Sequence, residues 1–256
     1  MNLPAAPGDP AGTLTDPALL SALTTEHYTL QAARSSTVVE ANGRSSLFLS
    51  ATSGAVVALA LVAQLDRLGQ TFTVFVLTVL PTLLVLGLTT YSRLADLAVQ
   101  DAHYARGIGR IRAFYLSIEP SARQYWLQPA GDDAHALMRQ AGQPHSRWHH
   151  LGHTATAVAA VTAAVAGAFV AVVGGLLTDV DDVRWLAGLG SAVAFASLAG
   201  LLADQERRWR RADAAVTTRF LPDGQPVPAG RTPVAHEPAE ALEPRAAVPA
   251  LAGLSL

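Results

Sequence analysis

Cysteine is absent from the 256 residues, which excludes disulfides, thiolate metal sites and cysteine nucleophiles. Lysine is absent too, all 18 basic residues being arginine, so no Walker A motif exists. Gly107-Ile-Gly109 lacks a third glycine and a preceding strand, and neither a G-x-S-x-G elbow nor an H-E-x-x-H pair occurs. The N-terminus has no basic region followed by an apolar run, so a cleavable signal peptide is not expected. Charge is scarce: 15% of residues carry it, where soluble domains have about a quarter. These absences disfavour an enzyme and call for no cofactor.

Four long stretches without Asp, Glu, Lys or Arg stand out instead: 45–65, 68–92, 151–178 and 185–203. A hydrocarbon core about 30 Å thick needs roughly 20 such residues as helix, and each stretch is near or above that. Runs this continuous are not the alternating strands of a barrel, so the expected fold is all-α. The expectation is an integral membrane four-helix bundle of two hairpins, with spans at 45–65, 69–92, 151–178 and 185–203.

The arginines orient it. The two short turns, Asp66-Arg67 and 179–184, hold two arginines and four acids, and the other sixteen arginines lie elsewhere. Positive residues stay on the cytoplasmic side, which predicts a multipass inner-membrane protein with both termini inside. Arg207, Arg208, Arg210 and Arg211 follow the fourth span as a topogenic or lipid-facing cluster. Tyr91, Trp148, Trp185 and Trp209 sit at span ends like an interfacial aromatic belt.

In lipid, small residues mark the faces along which helices approach. Gly188, Ala192, Ala196 and Gly200 repeat at four-residue spacing in the fourth span. Gly167, Ala171 and Gly175 do so in the third, and Ser50, Gly54 and Ala58 in the first. Pro81 predicts a kink in the second span, with a threonine hydroxyl, Thr78 or Thr82, taking the freed backbone group. No span carries a charged residue or carboxamide at its centre, which disfavours ion-coupled transport.

Outside the spans, residues 1–16 are read as a flexible N-terminus. Asp16-Pro17 reads as a helix start, and the helix it opens runs over 17–44 with Leu20, Leu23, His27, Leu30, Thr37 and Ala41 near one stripe. The segment 93–150 follows the second span. It begins with Leu94, Leu97, Tyr104, Ile108, Ile111, Tyr115 and Ile118 at steps of three and four, Asp101 filling the gap. Arg106, Arg110 and Arg112 occupy the other face. Two readings compete for this helix: packing as an extension of the bundle, or lying on the inner leaflet with its arginines on anionic headgroups. A short helix is expected from Asp132-Asp133 to about Gly142. Residues 204–256 comprise the arginine cluster and, from Ala212, a Pro/Ala-rich disordered tail.

Five of the eight histidines lie between His135 and His153. His145, His149 and His153 share a helix face by spacing. With Asp132 or Asp133 they are the candidate metal ligands, a metal-dependent membrane enzyme being one alternative function. The plainer alternative is a polar run at the headgroups.

Residues 26–54 (EHYTLQAARSSTVVEANGRSSLFLSATSG) and 104–120 (YARGIGRIRAFYLSIEP) resemble segments of uncharacterised multipass membrane proteins of actinobacteria. The resemblance covers about 20–205, is most distinctive at RGIGRIR, and implies topology without an activity. A helix feeding a two-span hairpin and then a further helix is similar to SLATT-type membrane effectors, which implies pore formation as an alternative function. The leading expectation is a non-enzymatic, oligomeric anchor or sensor. Its partners are the lipid bilayer, further copies of itself, and a cytoplasmic protein or small molecule; nucleic acid is not expected.

Overall fold

The computed structural model describes residues 16–66, 69–140, 154–178, 182–221 and 223–227. Its elements are α1 (Pro17–Asp66), α2 (Gln70–Ile118), a 3₁₀ turn (Pro120–Tyr125), α3 (Ala134–Gln140), α4 (Thr154–Leu177) and α5 (Val183–Ala214). Four of these are long and apolar enough to cross a membrane, and the chain is a multipass, all-α membrane protein.

The first two helices are single rods. The cytoplasmic helix and the first span predicted separately are one α-helix of 50 residues, and α2 is one of 49. At 1.5 Å per residue each is roughly 75 Å long, more than twice the hydrocarbon thickness. Asp16 starts α1 as expected, its Oδ1 accepting from Ala18 N at 2.9 Å. Asp133 caps α3, its Oδ1 accepting from Ala136 N at 3.3 Å.

The order of packing is α1 on α2, α2 on α4, and α4 on α5, with neighbours antiparallel. Within the most apolar stretch of each helix, 33% of α4 and 22% of α2 is buried, against 11% of α1 and 6% of α5. The outer helices α1 and α5 therefore present most of their surface to lipid or to another copy. Two clusters fill the interior: Val76, Leu80, Leu83 and Val165 deep among the spans, and Phe48, Tyr91, Leu94, Leu97, Val158 and Ala159 where the spans end.

Glycines set the closest approaches. A Cβ on Gly87 would meet Thr162 Oγ1 at 2.3 Å and Phe48 at 3.1 Å. One on Gly167 would meet the Gly190 carbonyl oxygen at 2.3 Å. Any side chain at either position forces its helix pair apart. Ala171 and Gly175 continue that α4 face, against Gly190 and Leu186.

The fourth span requires a correction. Gly188, Ala192, Ala196 and Gly200 are all exposed, and a Cβ on Gly188 or Gly200 meets nothing within 4 Å. Gly190 and Ala194 contact α4 instead. An offset of two residues turns a helix face by about 200°, so the unbroken ladder points away from the bundle. Gly54 is likewise exposed and open.

Pro81 lies within a continuous α2. Thr78 donates to Val74 O and Thr82 to Thr78 O, so neither hydroxyl takes the Leu77 carbonyl that proline leaves without its amide partner. Tyr91 is also reassigned: it is 2% exposed and its hydroxyl donates to Leu201 O, which ties α2 to α5 rather than to headgroups. Trp185 is exposed at its span end; Trp148 lies outside the described residues.

Candidate functional site

Beyond the spans, at the end opposite the two short turns, the chain builds a helical extension with the RGIGRIR stretch (106–112) at its centre. The sequence stripe on α1 faces the stripe on α2. Leu20, Leu23, His27, Leu30, Thr37 and Ala41 are buried or half-buried, and so are Leu94, Leu97, Tyr104, Ile108, Ile111, Tyr115 and Ile118. Steps of three and four on both helices make this an antiparallel, coiled-coil-like pairing. Asp101, the polar slot in the α2 stripe, accepts from Arg34 Nε at 2.8 Å and Nη2 at 3.2 Å. Glu40 accepts from Arg93 Nε and from Arg44 Nε, both at 2.8 Å. The hydrogen bonds from Arg93 and then Arg44 hold the Glu40 carboxyl at about 2. Of the two readings of α2, the structure shows packing.

The opposite face of α2 is covered as well, because its arginines bind protein. Arg106, 6% exposed, pairs through Nη2 with Asp213 and reaches Ala212 O at 3.5 Å. Arg110 donates from Nε to Asp132 at 2.6 Å and from Nη2 to Thr217 O at 3.0 Å. Arg112 donates to Gln128 Oε1 at 3.0 Å. The two glycines between them let neighbours approach on both sides. A Cβ on Gly107 would lie 2.9 Å from Leu30, and one on Gly109 would lie 2.2 Å from the Gly131 carbonyl oxygen.

Asp132 is the centre of this cap. It is 1% exposed and accepts from Arg110, from Arg219 N at 3.0 Å and from Phe220 N at 2.9 Å. It thereby pins to α2 a small hairpin that the sequence placed in the disordered tail. Leu221 N donates to Gln225 O and Val227 N to Arg219 O, with Phe220 bridging Pro226. The turn uses Gly224 at φ 84, a left-handed conformation that glycine adopts without strain. Asp223-Gly224 is thus a hairpin turn, and packing of Phe220 on Ala113, Leu116 and Ala130 supplies the order that periodicity did not announce.

The arginine cluster divides by face. Arg208 bonds Asp204 and Asp96, each at 2.7 Å, and sits between α5 and α2; its hydrogen bond to Asp204 leads the interactions that raise its pKa. Arg210 pairs with Glu206 one turn away. Arg207 and Arg211 are exposed without an ion-pair partner among the described residues. His145, His149 and His153 lie outside the described residues, among which no group of three or more metal-ligating side chains occurs. Asp132 is engaged by three donors, and Asp133 caps α3.

Compared with known proteins, the chain matches no family model, no curated protein and no solved structure.

Sequence reasoning missed Gly87, Gly190 and the second buried face of α2, and it read Asp132 as a helix cap or metal ligand rather than as the acceptor that holds the 219–227 segment. Two signals were present: Gly87 is a lone glycine inside a Leu- and Val-rich span, and Ala102, Ala105, Gly109 and Ala113 form a small-residue stripe beside the arginines.

Proposed function

We propose that this chain is a non-enzymatic, oligomeric inner-membrane protein, with both ends cytoplasmic, whose helical extension is the sensing or docking part. The observation that carries the reading is the outward placement of Gly188, Ala192, Ala196 and Gly200 on α5, all exposed among the described residues. A flat small-residue face exposed to lipid is the surface along which membrane helices associate. Orientation rests on the arginines: the extension holds most of them, the short turns two. The resemblance to actinobacterial multipass proteins fits this reading, RGIGRIR being the stretch on which the extension is assembled.

The test is the oligomeric mass of the protein in lipid nanodiscs, by native mass spectrometry. Oligomers that Gly188→Leu with Gly200→Leu reduces to monomers support the reading; a monomeric wild-type protein refutes it.

A second reading, a pore-forming effector of the SLATT type, draws on one observation. Small-residue faces lie on both outer helices, at Gly54 on α1 and at Gly188–Gly200 on α5. Contacts joining unlike faces build rings when the rotation between copies closes, and a ring of copies is what a pore requires. Dye release from vesicles carrying the oligomer tests it, and tight vesicles refute it.

A further inference from the structure

Arg106 has an unused donor. Its Nη2 binds Asp213 and its Nη1 reaches Ala212 O at 3.5 Å, yet Nε is buried and has no hydrogen-bond partner among the described residues. Buried guanidinium N–H groups without acceptors are rare, because desolvation is then uncompensated. The same side chain lines a cavity of about 380 Å³ between α2 and the end of α5. Val99, Ala215 and Val216 supply apolar wall, while Gln100 and His103, both exposed, bring polar groups.

We propose that this cavity binds a small organic anion, one carboxylate or phosphate on an apolar body. The oxyanion accepts from the Arg106 guanidinium, and the body lies against Val99, Ala215 and Val216. Arginine suits such a ligand because its fork offers several donors to one oxyanion. Asp213 is the competing acid: its side chain is 53% exposed, at the last turn of α5. An incoming oxyanion that draws the guanidinium from Asp213 frees the end of the helix that carries the outward ladder. Binding at the extension is thereby linked to the fourth span through one continuous helix. The cavity lies roughly 10–20 Å along α2 beyond the span end at Ser92, which places it past the headgroups and favours a soluble ligand over a lipid. The inference rests on reading the extension as the sensing part.

The experiment uses the full chain in zwitterionic-lipid nanodiscs, with 4-(trifluoromethyl)benzoate as probe and ¹⁹F NMR line broadening as readout. The neutral 4-(trifluoromethyl)benzamide controls for partition into lipid. The expected result is saturable binding of the acid, about tenfold or more tighter than the amide. Arg106→Gln abolishes it, and Asp213→Asn, which removes the competing carboxylate, strengthens it. Ala215→Trp fills the cavity while leaving the Arg106–Asp213 pair in place, so its loss of binding is not a loss of fold. Equal binding of acid and amide, no saturable binding of the acid, or full binding by Ala215→Trp overturns the proposal. Native mass spectrometry of the same samples reads the oligomer independently, so a failed ligand site with oligomers intact is distinguishable from failure of the sensor-and-assembly reading.

Discussion

Asp132 shows how a single carboxylate organises the extension. Three donors converge on a side chain with no solvent access, and two of them are backbone amides of the 219–227 hairpin. Replacing it with alanine leaves those amides and Arg110 without their acceptor, a loss of about 3 kcal/mol for a buried, hydrogen-bonded charge. Asp132→Ala is therefore expected to release the hairpin while the spans persist. Hydrogen exchange at Arg219 and Phe220 checks this, with rates rising well over tenfold. His27 supplies the pH dependence. Its Nε2 lies 2.8 Å from the side-chain amide of Gln31, one turn along α1. Burial first, and the charge of Arg112 second, lower its pKa below 6.5. A depressed folded-state value means that the unfolded chain protonates first. The stability His27 contributes is thus present above pH 6.5 and is lost as pH falls through the lower folded value. Thermal melts from pH 7.5 to 5 are expected to show this decline, and His27→Gln to flatten it. None of this residue-scale detail was legible beforehand: Asp132 reads in sequence as a helix cap or a metal ligand, since its donors lie 22, 87 and 88 positions away.

At the scale of elements, the helices were legible and their faces only in part. Uncharged runs of about 20 residues announce the spans, and steps of three and four announce the α1–α2 pairing, because both patterns are local. The α4–α5 contact was misread, since in an alanine-rich helix two small-residue faces coexist and spacing alone does not say which one the partner takes. Gly190 against Gly167 decides it. Substitutions separate the two faces. Gly167→Leu drives a side chain into the Gly190 carbonyl and is expected to destabilise the hairpin strongly, a loss of 2 °C or more in thermal midpoint for each ~1 kcal/mol. A Cβ at Gly188 or Gly200 meets nothing within 4 Å among the described residues, so Gly188→Leu and Gly200→Leu are expected to leave the midpoint within a few degrees of wild type. Circular dichroism melts in detergent distinguish these outcomes. The hairpin at 219–227 escaped notice because its order comes from Asp132 and Ala113, not from its own pattern.

For the whole molecule, two rods of about 75 Å carry the membrane bundle and the extension as one body. Ion pairs along α1, α2 and α5 and the hydroxyl of Tyr91 fasten the two parts where the spans end. In the proposed sensor, such continuity is the route by which a change at the extension would reach the spans. Both outer helices leave small-residue faces exposed. Native mass spectrometry of the wild-type protein and of Gly188→Leu/Gly200→Leu in nanodiscs tests this most directly. A defined oligomer in the wild type, lost in the variant while its melt is unchanged, is the predicted result. A monomeric wild type, or an oligomer indifferent to both leucines, would contradict it.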